Sequence, residues 1–259
     1  MRELTFGFSP CPNDTFAFHA LVKGLVPVPC PVRPVLLDIE ELNRRAVTGE
    51  FDLTKLSIGA LATVGPRYRL LRSGAALGRG VGPLVVAREA RPLPEVVAGR
   101  VAIPGAMTTA YRLLRLAAPT LGEAVELRYD RILSAVERGD FDAGLIIHES
   151  RFTYQEHGLA KVVDLGDWWE RETNLPVPLA AICARADLEN DIVSAVEGAI
   201  RSSVSHAFSH RDASRAFVRA HAQEMSDAVC DQHIALYVNE FSLDIGEEGR
   251  RAILRLVGA

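Results

Sequence analysis

The sequence predicts an α/β protein of two lobes facing one another across a central ligand cleft. Three observations carry that expectation. Short apolar runs alternate with helix-period segments from Leu4 to Ile147, a rhythm that gives parallel strands joined by helical crossovers. The length, 259 residues, is long for one simple core and short for two independent domains. The stretch DIEELNRRAVTGEFD at 38–52 has an echo in DRILSAVERGDFD at 130–142. Each is a helix, a glycine suited to a left-handed helix exit (Gly49, Gly139), and an acid-Phe-Asp step into an apolar strand. Two copies are too few for a solenoid and fit two similar lobes, although common loop chemistry can also produce such an echo.

In chain order, Leu4–Phe8 reads as the first strand, and Asn13 or Asp14 caps a helix with Phe16, Ala20 and Leu21 on one face. Val35–Leu37 is a strand, Glu40–Thr48 a helix closed by Gly49, and Asp52–Leu56 a strand followed at once by a short helix from Ile58. Gly82–Ala87 and Pro178–Ala184 are extended, apolar and proline-flanked. They read as the crossings between lobes, which makes lobe one discontinuous (1–84 and 182–259) and lobe two an insertion (85–181). A paired crossing permits hinge closure over a ligand. Within the insertion, Arg100–Ile103 is a strand that turns at Pro104-Gly105. Thr108–Ala117 is a helix with Tyr111, Leu114 and Ala118 along one side. Glu126–Tyr129 is a strand, Arg131–Arg138 a helix closed by Gly139, and Ala143–Ile147 a strand. From Asp187 the pattern is mostly helical, with Val193, Val196 and Ile200 on one face and Ile234, Val238 and Phe241 on another.

Composition removes several classes of function. The apolar fraction of 48% and charged fraction of 24% are ordinary globular values. A net charge of −4 leaves no basic stripe for nucleic acid. No apolar run approaches the ~18 residues of a membrane span. The amino-terminal stretch has no long apolar core behind a basic start, so a cytoplasmic protein is expected. Cys11, Cys30, Cys183 and Cys230 are scattered without CxxC or zinc-ligand spacing. They read as reduced, partly packed thiols, with a Cys11–Cys30 pair as the alternative. No metal or redox cofactor is expected.

Ligands of open parallel sheets sit beyond the carboxyl ends of the strands. Those ends carry Ser9-Pro10-Cys11-Pro12-Asn13-Asp14-Thr15, then Ser57-Ile58-Gly59, then the turn before Thr108, Thr109 and Ala110, then His148. Three of them launch helices, whose free N–H groups and positive partial charge accept a carboxylate. Ser57, Thr108 and Thr109 either add hydroxyl donors to a bound small acid or merely cap their own helices. Lys55 shares a strand face with Ser57 and either reaches a substrate anion or pairs with a carboxylate. His148, at the tip of an apolar strand, can take a proton near neutral pH. A histidine bonded to backbone at a lobe interface is the alternative. His206, His210, His221 and His233 fall in the carboxy-terminal helices and lack that setting, and His157 precedes a turn glycine. The glycine-rich segment at 78–86 lacks the Lys-Ser/Thr of a nucleotide-binding loop and precedes a strand, so it reads as the approach to a hinge. Trp168-Trp169 reads as a packing pair.

Phe8-Ser-Pro-Cys-Pro-Asn-Asp-Thr-Phe16, Leu53-Thr-Lys-Leu-Ser57, Gly80-Val-Gly-Pro-Leu-Val-Val86 and Ile147-His-Glu-Ser-Arg-Phe-Thr-Tyr154 occur in this order, and the set resembles the 1,4-dihydroxy-6-naphthoate synthases of the futalosine route to menaquinone. The resemblance covers nearly the whole chain. It implies a type II periplasmic-binding-protein-like fold, cyclic dehypoxanthinylfutalosine as substrate and 1,4-dihydroxy-6-naphthoate as product. It also implies His148 as proton acceptor and Lys55, Leu56, Ser57, Thr109 and Ala110 as substrate-binding residues, with Thr108 and Asp14 at the same mouth. Two rivals share the fold: chorismate dehydratase of the same pathway, and a non-catalytic binder of small acids.

Overall fold

The computed structural model describes residues 3–222 and 226–258. Its strands fall into two sheets. The first holds β1 (Leu4–Phe8), β2 (Val32–Leu36), β3 (Leu53–Ser57), β4 (Tyr68–Leu70) and β5 (Ala76–Gly78). The second holds β6 (Leu84–Ala87), β7 (Arg100–Ile103), β8 (Glu123–Glu126), β9 (Ala143–Ile146) and β10 (Ala160–Asp164). The chain then returns to the first sheet along β11 (Val177–Arg185), which runs antiparallel to β3, β4 and β5. The principal helices are α1 (Pro12–Val22), α2 (Ile39–Ala46), α3 (Thr109–Ala117), α4 (Ile132–Glu137), α5 (Leu165–Thr173), α6 (Asn190–Ser209), α7 (Asp227–Tyr237) and α8 (Gly246–Val257).

The two sheets repeat one plan. In the first, β1 lies between parallel β2 and β3, and β11 joins β3 antiparallel. In the second, β7 lies between parallel β8 and β9, and β6 joins β9 antiparallel. The sequence echo maps onto this plan. Gly49 and Gly139 exit the helices α2 and α4 with φ of +75° and +84°. The aspartate ending each copy ties down the start of the neighbouring parallel strand. Asp52 accepts the Thr5 N–H at 2.8 Å, and Asp142 accepts the Arg100 N–H at 2.8 Å.

Central strands lie where their apolar runs predict. Edge strands do not. The strand expected at Val35–Leu37 starts three residues earlier and ends one sooner, as β2, which contains Pro34. A proline without an N–H fits there because β2 is an edge strand. The strand expected at Glu126–Tyr129 lies three residues earlier, as the half-polar edge strand β8. The apolar pair Leu127 and Tyr129 belongs to the following loop, which buries Tyr129. Helix α1 starts at Pro12 with Cys11 as N-cap, ahead of the expected Asn13 or Asp14, because proline suits the first helical position. The expected face Ile234-Val238-Phe241 splits: α7 ends at Tyr237, and its buried side is Cys230, His233, Ile234 and Tyr237.

Phe6, Phe8 and Phe18 pack ring to ring, with centroids 5.0–5.4 Å apart, under Ile200 of α6 and Ile234 of α7. A second apolar cluster runs from Ile58 and Leu77 to Val85, Ile103 and Leu113, so it joins the two sheets beneath the cleft. Trp169 is buried in it, and its indole N–H donates to the Pro176 carbonyl. All four cysteines are buried and free, so Cys11 and Cys30 do not pair. Among the described residues no helix is long and apolar enough to cross a membrane.

Candidate active site

The strand ends converge on a cleft of about 570 Å³ including its open mouth. Its walls include Lys55, Ser57, Thr108, Thr109, Ala110 and His148, with His233 and Tyr237 from α7.

β9 ends at Ile146, and two residues on His148 takes a left-handed backbone conformation, φ +57°. Few residues other than glycine adopt it; histidine is among those enriched there. Its ring Nδ1 lies 3.3 Å from the Cys11 thiol, and the Tyr129 ring meets it edge-on at 4.8 Å. Its Nε2 is buried without a hydrogen-bond partner among the described residues. Burial, aided by the positive charge of Lys55, lowers the His148 pKa to about 3, so the ring is neutral. Burial and the Glu149 carboxylate push the Cys11 thiol well up, so it keeps its proton.

Lys55 is buried and forms an ion pair with Asp14. That carboxylate also accepts the Ser9 N–H at 3.0 Å, the Ser9 hydroxyl at 2.7 Å and the Asn13 amide at 2.8 Å. The Ser-Pro-Cys-Pro-Asn-Asp loop is therefore folded around one buried salt bridge. Asp14 does not line the cleft; it holds the lysine that does.

Ser57 is gripped from behind by Asn43, which donates to its Oγ at 3.0 Å and accepts its N–H at 3.0 Å. Among the described residues no acceptor meets the Ser57 hydroxyl proton. Thr108 caps α3, accepting the Tyr111 N–H at 3.1 Å and donating to the Gly105 carbonyl at 2.7 Å. Thr109 donates to Leu179 O at 2.6 Å and accepts the Gly59 N–H at 3.0 Å. Both hydroxyls are thus engaged within the protein. What α3 presents to the cleft is its first turn, where the Thr109 and Ala110 N–H groups have no intrahelical acceptor. Leu56 points to the opposite face of β3, fully buried among Val64, Tyr68 and Cys183.

Sequence reasoning set His233 aside and did not single out Tyr237. Both line the cleft. The available signal was the spacing of Cys230, His233, Ile234 and Tyr237, which puts one imidazole on the buried stripe of an α-helix. Cys11, His148 and Glu149 bring three potential metal donors within 4.8 Å of one another. A cation there would first have to displace the proton that burial keeps on the thiol.

A family model described as menaquinone biosynthesis matches residues 4–259. The chain belongs to the menaquinone biosynthesis family. Two curated relatives carry the name 1,4-dihydroxy-6-naphthoate synthase. The one from Thermus thermophilus is 57% identical, covering 99% of this chain and 93% of its own. The one from Streptomyces coelicolor is 47% identical, covering 98% and 91%. The crystal structure of protein AF1704 from Archaeoglobus fulgidus superposes with a TM-score of 0.94 at 34% identity, covering 99% of this chain and 96% of that one. The aliphatic sulphonate binding protein SsuA from Escherichia coli, at 15% identity and a TM-score of 0.68 over 100% of this chain and 86% of its own, shares the fold alone. This menaquinone biosynthesis protein therefore has the two-lobed, periplasmic-binding-protein-like α/β fold.

Proposed function

We propose that this menaquinone biosynthesis enzyme performs the reaction for which both relatives are named, forming 1,4-dihydroxy-6-naphthoate from cyclic dehypoxanthinylfutalosine, with His148 as general base. One observation carries the role of His148: a neutral imidazole on the cleft wall with one nitrogen, Nε2, left without a partner. A base must arrive unprotonated at the nitrogen that receives the proton. We assign the Nδ1–H tautomer, with its hydrogen directed to the Cys11 sulfur at 3.3 Å, which leaves the Nε2 lone pair for the incoming proton. The substrate carboxylate rests at the start of α3, on the Thr109 and Ala110 N–H groups, within reach of the Ser57 hydroxyl and the charge of Lys55. His148 takes a proton from a ring carbon, the C–H electron pair moves into the ring, and the sugar-derived fragment leaves with its bonding pair. Aromatisation drives the step, so the enzyme chiefly orients the substrate and moves protons. The strands of the first sheet move as one closing body and those of the second as the other; because β6 lies wholly in the second sheet and β11 wholly in the first, the hinge falls in the links at 79–83 and 174–176, not at 82–87 and 178–184 as the sequence pattern suggests.

A general base is worth about 10²–10⁴-fold in rate. His148→Asn is expected to lose at least ~10²-fold in kcat while binding product within a few-fold of wild type. Near-wild-type turnover by this variant would end the assignment. Chorismate offered in a parallel assay is expected to be left unchanged, and its dehydration would move the enzyme to the other step of the pathway.

A further inference from the structure

We infer that His233 is a second substrate-contacting residue, hydrogen-bonding a carbonyl or hydroxyl oxygen on the same ring that His148 deprotonates. The inference rests on the function proposed above and adds a residue to it. His233 is 1% exposed, it lines the cleft, and its Nδ1 is buried without a hydrogen-bond partner among the described residues. The large majority of buried side-chain polar atoms in folded proteins have a hydrogen-bond partner. Among the described residues its aromatic neighbours offer none: the Tyr237 ring stands edge-on at 4.7 Å, Phe152 lies at 6.4 Å and the His148 ring at 6.3 Å. These neighbours hold the imidazole by shape, and the ring lines the cleft.

If packing were the whole role, an apolar side chain would serve, as Ile234 does one residue on. Burial, with His148 and Lys55 nearby, lowers the His233 pKa well below the ordinary histidine value. A neutral imidazole offers one donor and one acceptor, which suits an uncharged oxygen better than a carboxylate. The position agrees. His233 stands beside the base, whereas the carboxylate is assigned to the start of α3. The ring oxygens that remain in the product as its two hydroxyls are the matching groups.

His233→Phe keeps the ring volume and removes both nitrogens; His233→Asn returns an amide near the place of Nδ1. On the cyclic substrate, His233→Phe is expected to lose roughly 10- to 100-fold in kcat/KM, with His233→Asn intermediate. In the wild-type enzyme carrying ¹⁵N-histidine, saturating 1,4-dihydroxy-6-naphthoate should shift the His233 ring signals. This measurement needs no variant of altered stability. His233→Phe within twofold of wild type, or His233 signals unmoved by saturating product, overturns the inference. Wild-type protein without turnover sinks the proposed reaction itself. Wild-type turnover matched by His233→Phe sinks only the role of His233.

Discussion

At the scale of single residues, the cleft wall carries two imidazoles that burial keeps uncharged. Between the ordinary histidine pKa of ~6.5 and the value of about 3 for His148, the unfolded chain binds a proton that the folded protein does not. His233 is shifted in the same direction. For His148 the resulting loss of stability is absent above pH ~6.5 and grows as the pH falls through that window, at about 1.4 kcal/mol per pH unit, and His233 adds to it in the same direction. Denaturant midpoints measured from pH 7 to pH 4 are expected to decline, and to decline less steeply in His148→Asn. Identical slopes would contradict a neutral buried ring. The charge on Lys55, by contrast, is met inside the fold by Asp14. That partnership spans 41 positions and was one of two open readings of the sequence. Nothing local to LTKLS says which carboxylate, if any, the lysine meets.

At the scale of elements, the legible parts were those whose local chemistry agrees with their place in the fold. β1, β7 and β9 are interior strands and read as mostly apolar runs, whereas interior β3 mixes Leu53 and Leu56 with Thr54, Lys55 and Ser57. β2 and β8 are edges, and there Pro34 and a half-polar EAVE blurred the pattern. The strand ends that face the cleft followed from the topology rule, which is why His148, Ser57 and the start of α3 could be located in advance. His233 could not, because a histidine on a helix looks the same whether it faces solvent or a cleft. The contact between the turn at Ile58–Ala60 and α3 was equally silent. There the backbones approach so closely that a Cβ on Gly59 would lie 2.9 Å from the Thr108 carbonyl oxygen. Gly59→Ala should therefore push α3 away from the cleft floor and loosen the Gly59–Thr109 bond. The expected result is a KM raised about tenfold, the equivalent of ~1.4 kcal/mol, with little change in thermal midpoint. An unchanged KM would show that the start of α3 tolerates displacement and does not seat the carboxylate.

At the scale of the whole molecule, an apolar cluster joins the two sheets beneath the cleft, and polar contacts cross at its rim. Glu40 of α2 accepts the Met107 N–H at 3.2 Å, and Arg44 pairs with Glu126 of β8. On the other side Arg112 of α3 donates to the Leu256 and Val257 carbonyls of α8. The Arg44–Glu126 pair is exposed, and exposed pairs contribute about 0–1 kcal/mol. Arg44→Ala should leave unfolding midpoints nearly unchanged. If the two bodies hinge as proposed, its effect appears instead as a KM a few-fold higher at low salt, with the difference shrinking as ionic strength rises. A salt-independent KM would argue that this rim contact has no part in closure.

The left-handed turn at His148 has a consequence for engineering the site. Its φ of +57° is one that glycine adopts without penalty. A His148→Gly exchange should therefore leave the turn in place and open an empty socket where the ring stood, walled by Cys11 and Tyr129. Free imidazole added to such a variant should diffuse into that socket and restore part of the lost rate, in proportion to its concentration until the socket fills. Restoration by imidazole but not by a bulkier amine of similar basicity would mark the vacated space, and not bulk buffer, as the seat of proton transfer.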